Sequence, residues 1–493
     1  MIGAMVVAGA HKRSVVVFGA CLVTLACGGE DSGRDDPTVA TTTASTGSAT
    51  TSVGTTADTD DGPMATSADT GPSATSDVTT TGVDSSGTEG VDTGIPPNCG
   101  DGNPDPDEAC DDANQIDADG CNVDCTVSGS VLWSHSQAGG LGADEDGYAV
   151  AVADDGAAFV AGTLTVASAD FFVRGYDPEG GLDWSVAVDG ASASTDIANA
   201  LVRAGDQLYA AGQLTQGAGG NDVFVANYAL SGAAGWTAAF NDPINGADRA
   251  FAVTADATGN VGVAGDQTVD LQGTDVFVRV YNSAGSALWS ASYTSAGAAA
   301  ERAHAIAADA SGNFVVAGYE TVGGQRDMWI RKYDPAGSPL WTQGYAGVDG
   351  LDDQAMALTT DAAGDIFVAG FESTAVGPTN AWLRRLDLNG NEQWTQTYAG
   401  SAAEGAQALG VALDAAGDVT IVGFERVGGL DRILLRKYDG AGVMKWTETI
   451  EGAMGTSSYG RAITVGPDEH LWIAGGIDLG VDGRDVYIAK IAR

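Results

Sequence analysis

Positive charge is scarce in this chain. Its 493 residues include 22 Lys and Arg, only five of them Lys, against 66 Asp and Glu, for a formal net charge of −44. Nucleic acid is excluded as a partner, because phosphate binding needs a basic surface. Electrostatic docking on anionic lipid is excluded for the same reason. The excess of acid serves solubility, or gathers Ca²⁺ or a basic partner. Histidine is scarcer still, with His11, His135, His304 and His470 alone. None has zinc-ligand spacing, and neither a Gly-x-Ser-x-Gly elbow nor a P-loop occurs. Cysteine is absent beyond Cys125, so residues 126–493 hold no thiol nucleophile. No hydrophobic run is long enough to span a bilayer; the best, Ser14 to Ala26, has the length of a signal-peptide core.

That run follows His11-Lys12-Arg13 and ends Thr24-Leu25-Ala26-Cys27-Gly28. The order resembles the bacterial lipobox, with Leu25 one place late and Thr24 in the usual Leu position. The resemblance implies cleavage after residue 26, a lipidated Cys27 and, from Gly28, sorting to the outer membrane. The plain alternative is a secretory signal with Cys27 near the cut. Residues 28–98 then contain no Phe, Trp or Tyr and are rich in Thr, Ser, Gly, Asp and Ala. Such a stretch cannot bury enough apolar surface to offset its ordering entropy. As a flexible stalk it spans roughly 45–50 Å r.m.s..

Residues 99–128 form a separate module. Cys99, Cys110, Cys121 and Cys125 crowd into a segment too small for a core of its own, so disulfides must hold it. Three pairings are open. Asp101, Asp111, Asp112, Asp117 and Asp119 cluster beside tight Gly turns, a composition that suits Ca²⁺, which takes six to eight oxygens. The run Cys99-Gly100-Asp101-Gly102, Glu108, Cys110-Asp111-Asp112, Asn114, Asp119-Gly120-Cys121 and Cys125 resembles the myxobacterial cysteine-rich repeat. It is also similar to the Lin-12/Notch-type modules of pappalysin, some of which hold Ca²⁺. Ala113 and Ala118 stand where that pattern prefers Gly. The competing readings are a disulfide spacer without a tight ion and a Ca²⁺ site.

Residues 129–493 are organised by repetition. Trp133, Trp184, Trp236, Trp289, Trp341, Trp394 and Trp446 are separated by 51, 52, 53, 52, 53 and 52 residues. A period of that size means one supersecondary unit in tandem. Each unit holds four strand-like pieces, shown by 302–308, 313–318, 327–333 and 340–345. Tight Asp-x-x-Gly hairpin turns such as Asp309–Gly312 and Asp334–Gly337 join the first piece to the second and the third to the fourth. A glycine ends each second piece: Gly162, Gly212, Gly265, Gly318, Gly370, Gly423 and Gly475. The third pieces are apolar on both faces, as in Met328-Trp329-Ile330, which predicts sheets stacked face to face around an axis. The expected fold is all-β, a seven-bladed β-propeller of four-stranded blades. The first strand in the chain is the Trp133 strand and the last is a third strand, so Trp133 should complete the seventh blade and leave no free edge. The units resemble the bacterial β-propeller repeat called SBBP, which implies this architecture and no particular activity.

Candidate chemistry is sparse. An acid recurs just before the innermost strand: Asp146, Asp196, Asp248, Glu301 and Asp353, with Ala406 and Ser458 breaking the series. Gathered around the propeller mouth, these acids would hold a cation or a cationic ligand; taken singly, each would cap its own loop. His304 aligns with Ala149, Asn199, Phe251, Met356, Leu409 and Arg461 and reads as a variable channel position. Long, variable loops should open on one face, where binding usually sits. The chain thus reads as a monomeric, exported protein, on the outer membrane or cell surface by its lipid and otherwise secreted, and as a non-catalytic scaffold for a protein or glycan. The rivals are a propeller enzyme, lyase or quinoprotein-like, and an envelope assembly scaffold. No catalytic residue and no certain cofactor is expected.

Overall fold

The computed structural model describes residues 99–493, except 104, 106–107, 138–143, 166–168, 191–194, 216–219, 242–245, 271–272, 296–298, 348, 376 and 481–482, together with the backbone of 3–9 and 12–18. Cys27 and the stalk lie outside the described residues. Gly3–Gly9 and Lys12–Phe18 pair as a hairpin, and the second of these runs parallel to Leu182–Val188 at the edge of the first blade. Both fall in the segment read as a leader, and a chain cleaved ahead of Cys27 would not carry them.

The alternation of short apolar runs with Asp-x-x-Gly turns folds each unit into an antiparallel meander. In the fourth blade Arg302–Ala308 is innermost, followed outward by Phe314–Val322, Gln325–Tyr333 and Pro339–Tyr345. Seven such sheets form a seven-bladed β-propeller. The core lies between blades. Ala305, Met328 and Ile330 of the fourth blade meet Leu358, Ile366 and Trp382 of the fifth in one cluster. Strands that bury both faces need no polar alternation, which is why the third strands read as continuous apolar runs. Trp329 and Trp382 are fully buried, each contributing on the order of 3 kcal/mol of hydrophobic stabilisation.

The recurring tryptophans fasten neighbouring blades. The indole Nε1 of Trp184, Trp236, Trp289 and Trp394 donates to Leu230 O, Ser283 O, Pro335 O and Gly440 O, at 2.8, 3.0, 3.1 and 3.1 Å, in the third-to-outer turn of the next blade. The turn glycine lies flat on the same indole. A Cβ on Gly337, whose φ is +86°, would lie 2.7 Å from Trp289. Four residues on, Tyr293 stacks on Trp329 and Tyr345 on Trp382 of the following blade.

Ring closure reuses the same device with the chain cut through it. Val131–Gln137 pairs antiparallel with Arg484–Ile491, placing Trp133 opposite Lys490. In an intact turn, Gly337 N donates to Asp334 O and Asp334 N to Ser338 O. At the junction, Gly129 N donates to Ala492 O and Ala492 N to Ser130 O. Gly129 has φ +80° and packs against Trp446, as the other turn glycines pack against their tryptophans. Residues from opposite ends of the propeller therefore rebuild one hairpin turn without a covalent link.

The cysteine module packs on this junction, and the two form one compact unit. Its bridges are Cys99–Cys125 and Cys110–Cys121. Ala113 and Ala118 take φ of +65° and +62°, the left-handed region expected of the glycines they replace. Ala118 is buried in a cluster with Leu471, Ile473, Tyr487 and Ile491 of the last blade. Its methyl supplies packing that glycine would lack, against a backbone conformation that disfavours it. Asp117 pairs with Arg493 at 3.1 Å and Asp124 with His470 at 3.7 Å.

Candidate functional site: the central channel and its mouth

Every innermost strand carries a β-bulge at the same place. Pairing with the second strand skips one residue in each blade: Tyr148, Asn199, Phe251, His304, Met356, Leu409 and Arg461. A bulge re-aims its side chain. Here all seven line a central channel of about 380 Å³. The recurring glycine of the second strand makes the bulge possible. A Cβ on any of Gly162, Gly212, Gly265, Gly318, Gly370, Gly423 or Gly475 would sit 1.9–2.1 Å from the innermost-strand carbonyl that closes over it. Their φ values are not positive, so close approach of the backbone, and not left-handed geometry, demands glycine.

The bulge corrects the alignment of the first blade by one residue. Tyr148, not Ala149, is the counterpart of His304, and Glu145, not Asp146, is the first member of the acid series. The backbone agrees. Glu145 N donates to Arg484 O, as Asp248 N does to Asn221 O, Glu301 N to Thr274 O and Asp353 N to Arg326 O.

The acids turn inward to their own loops. Asp196 accepts from Gly190 N at 2.6 Å and Thr215 N at 2.7 Å, tying the exit of the outer strand to the end of the second strand. Asp353 does the same with Gly347 N and Ser373 N, Asp248 accepts from Thr268 N at 2.9 Å, and Glu301 accepts from the Ser295 hydroxyl. All four are fully buried. Burial pushes the carboxyls of Asp196, Glu301 and Asp353 above their ordinary range, with neighbouring acids adding to the effect. Where the series breaks, Ser458 accepts from Asp478 N, and Glu425 reaches across to Ser401 N and Oγ. The geometry is that of a loop clasp repeated around the ring.

Asp146 itself lies at the mouth, in the position that Arg249 and Arg302 hold in the third and fourth blades. It receives Arg461 Nη2 at 3.2 Å and Arg484 Nε at 3.1 Å. Arg249 and Arg302 in turn share Asp266, at 2.7 and 2.8 Å. Two guanidiniums thus face each of Asp146 and Asp266, with Arg484 also 3.4 Å from Asp144. These arginines also lie over rings: Arg302 over Phe251 at 4.5 Å and Arg461 over Tyr148 at 5.5 Å. Alignment with His304 marked Arg461 as a channel position, but the meeting of Arg461 and Arg484 with Asp146 of the first blade exists only in the closed ring.

His304 packs against Phe251 and Tyr319, and its Nε2 lies 3.3 Å from Gln354 Oε1. Burial, helped by the charge of Arg302, brings its pKa down to about 3, so the imidazole is neutral at physiological pH.

In the cysteine module, the Asp111 carboxylate accepts from the backbone of Asp101, Gly102 and Ala113, and the Ala113 bond leads in holding its pKa low. Asp101 caps Asn103 at 2.9 Å, Asp119 accepts from the Asn114 amide at 3.2 Å, Asp117 faces Arg493, and Asp112 is exposed. Among the described residues, no group of three or more His, Cys, Asp or Glu is arranged to hold a metal ion.

Fold and site define a class: a closed seven-bladed β-propeller whose frame repeats and whose channel and mouth do not. No family model matches the chain, and no curated protein is similar to it in sequence.

Proposed function

We propose that this chain is an exported, lipid-anchored protein of the cell envelope or surface, whose propeller binds a protein or glycan without chemical turnover. The observation that carries the binding reading is the placement of difference. Turns, inter-blade indoles, loop clasps and bulge glycines are repeated, while the bulged side chains and the arginines of the mouth vary and converge on one axis. Stable frames with variable sites on one face are built for recognition. The leader, Cys27, the stalk and the SBBP-like and myxobacterial-type repeats rest on the residues quoted for them above. An enzyme reading would centre on His304, and its neutral imidazole meets an amide, Gln354, where a general base is usually oriented by a carboxylate.

The test is a glycan array and an overlay of separated envelope proteins, probed with the full chain and with Arg249→Ala/Arg302→Ala. Selective binding that the double variant loses supports the reading. Binding to neither, or binding indifferent to the substitutions, overturns it.

A further inference from the structure

The channel behind the mouth has a chemistry of its own. Arg461 is the one formally charged side chain among its lining residues. Its guanidinium donates from Nη2 to Asp146 and lies over the rings of Tyr148 and Tyr459, and among the described residues its buried Nε has no hydrogen-bond partner. On the blades that follow Arg461 around the ring in one direction stand Tyr148 and Asn199, and in the other Leu409 and Met356, with Phe251 and the neutral His304 across the channel. The Asn199 Nδ2 donates one hydrogen bond to Ala250 O at 2.8 Å. One side of the space therefore offers a cation, a phenol and an amide, and the rest offers thioether, aliphatic and aromatic surface together with the neutral imidazole of His304. The volume of about 380 Å³ falls within the range of small-molecule sites.

We propose that the central channel binds a small organic carboxylate with an apolar body, its carboxylate on Arg461 and its body against Leu409, Met356 and Phe251. The rim admits such a ligand, since the four guanidiniums of Arg249, Arg302, Arg461 and Arg484 face the three carboxylates of Asp144, Asp146 and Asp266. The acids of the outer blades oppose anion entry only at long range. At physiological salt the Debye length is about 8 Å, so acids on the outer blades are screened while contacts at the channel are not. This site uses the same converging side chains as the proposed macromolecule binding, but its probes and the Met356→Trp variant read the channel alone.

The experiment is calorimetry on the full chain at 0.15 M NaCl, with 4-phenylbutyrate, its primary amide and the corresponding amine as probes. The carboxylate binds with one-to-one stoichiometry, and the amide and amine bind at least ~10-fold more weakly, as expected for loss of one charged hydrogen bond. Arg461→Gln weakens carboxylate binding by a similar factor, and Arg461→Lys restores part of it. Met356→Trp fills the channel without touching the ion pairs and abolishes binding while the melting temperature holds. Absence of carboxylate binding, equal binding of the amide, or binding unchanged by both Arg461→Gln and Met356→Trp each overturns the proposal. A positive glycan array beside any of these would leave the scaffold reading standing.

Discussion

Replacing Gly318 by alanine tests the link between the second-strand glycine and the channel. The new Cβ would lie 1.9 Å from Arg302 O and 2.9 Å from Ala303 Cα. Both are backbone atoms, so no side chain can rotate away. Relief requires the innermost strand to withdraw by more than about 1 Å, which breaks ladder bonds worth ~1 kcal/mol each and adds ~1–3 kcal/mol of packing strain. The expected loss is ~3 kcal/mol. A ring of this length unfolds with an entropy of ~0.8 kcal/mol/K, so Tm should fall by ~4 °C. Gly344→Ala in the same blade is the control. Its Cβ would meet nothing closer than Glu320 Oε1 at 3.3 Å, in an exposed stretch of the outer strand. Both variants reduce the freedom of the unfolded chain by a similar amount, so that effect cancels in the comparison. Differential scanning calorimetry of the two reads the difference directly. Melting temperatures within ~1 °C of each other would refute the argument that backbone approach is what demands glycine there.

Four further outcomes are expected. Asp222 is nearly buried, and burial together with the charge of Asp248 raises its pKa to about 6. A carboxyl raised in the folded state contributes stability that is full below about 4 and lost as pH rises through 6, so Asp222→Asn should melt above the parent at pH 7.5, by up to ~2 kcal/mol, and level with it at pH 4. His304 works in the opposite direction. With a folded pKa of about 3 against 6.5 unfolded, it takes stability away as pH falls from 6.5 towards 3, and His304→Gln should flatten that decline in a thermal-melt series. Asp353→Asn sets an amide against Gly347 N–H or Ser373 N–H and should cost ~1–2 kcal/mol, with no calcium heat in either form by titration calorimetry. Cys110→Ser with Cys121→Ser opens a loop of sequence separation 11, removing ~2–3 kcal/mol from the module; limited proteolysis should then nick residues 99–128 first and leave the seven blades resistant.

Much of the architecture could be read along the chain, because it depends on spacing. The tryptophan period, the Asp-x-x-Gly turns and the offset between first and last strands required seven blades closed by Trp133, and the structure has them. The site was less legible. A one-residue error in the first blade exchanged Tyr148 for Ala149 and Glu145 for Asp146, since a bulge adds a residue to one strand and leaves no mark in composition. The register of Gly162 against Gly147, followed by the skip to Ala149, is visible only once the partner strand is in place. The acids before the innermost strands were legible as a recurring pattern. Their direction was not, because Asp196 and Asp353 could face the mouth or their own loops with equal local plausibility.

By itself the sequence determined the repeat, the strand order, the ring and its closure, since hydrophobic patterning and turn chemistry act over a few residues and recur about every fifty-two. The tertiary structure alone decided three things: the pairing Cys99–Cys125 and Cys110–Cys121, the turn rebuilt from Gly129 and Ala492, and the meeting of Arg461 with Asp146. Each joins groups that no local rule relates. The last two link opposite ends of the propeller, and the free energy of ring closure brings those ends within hydrogen-bonding distance.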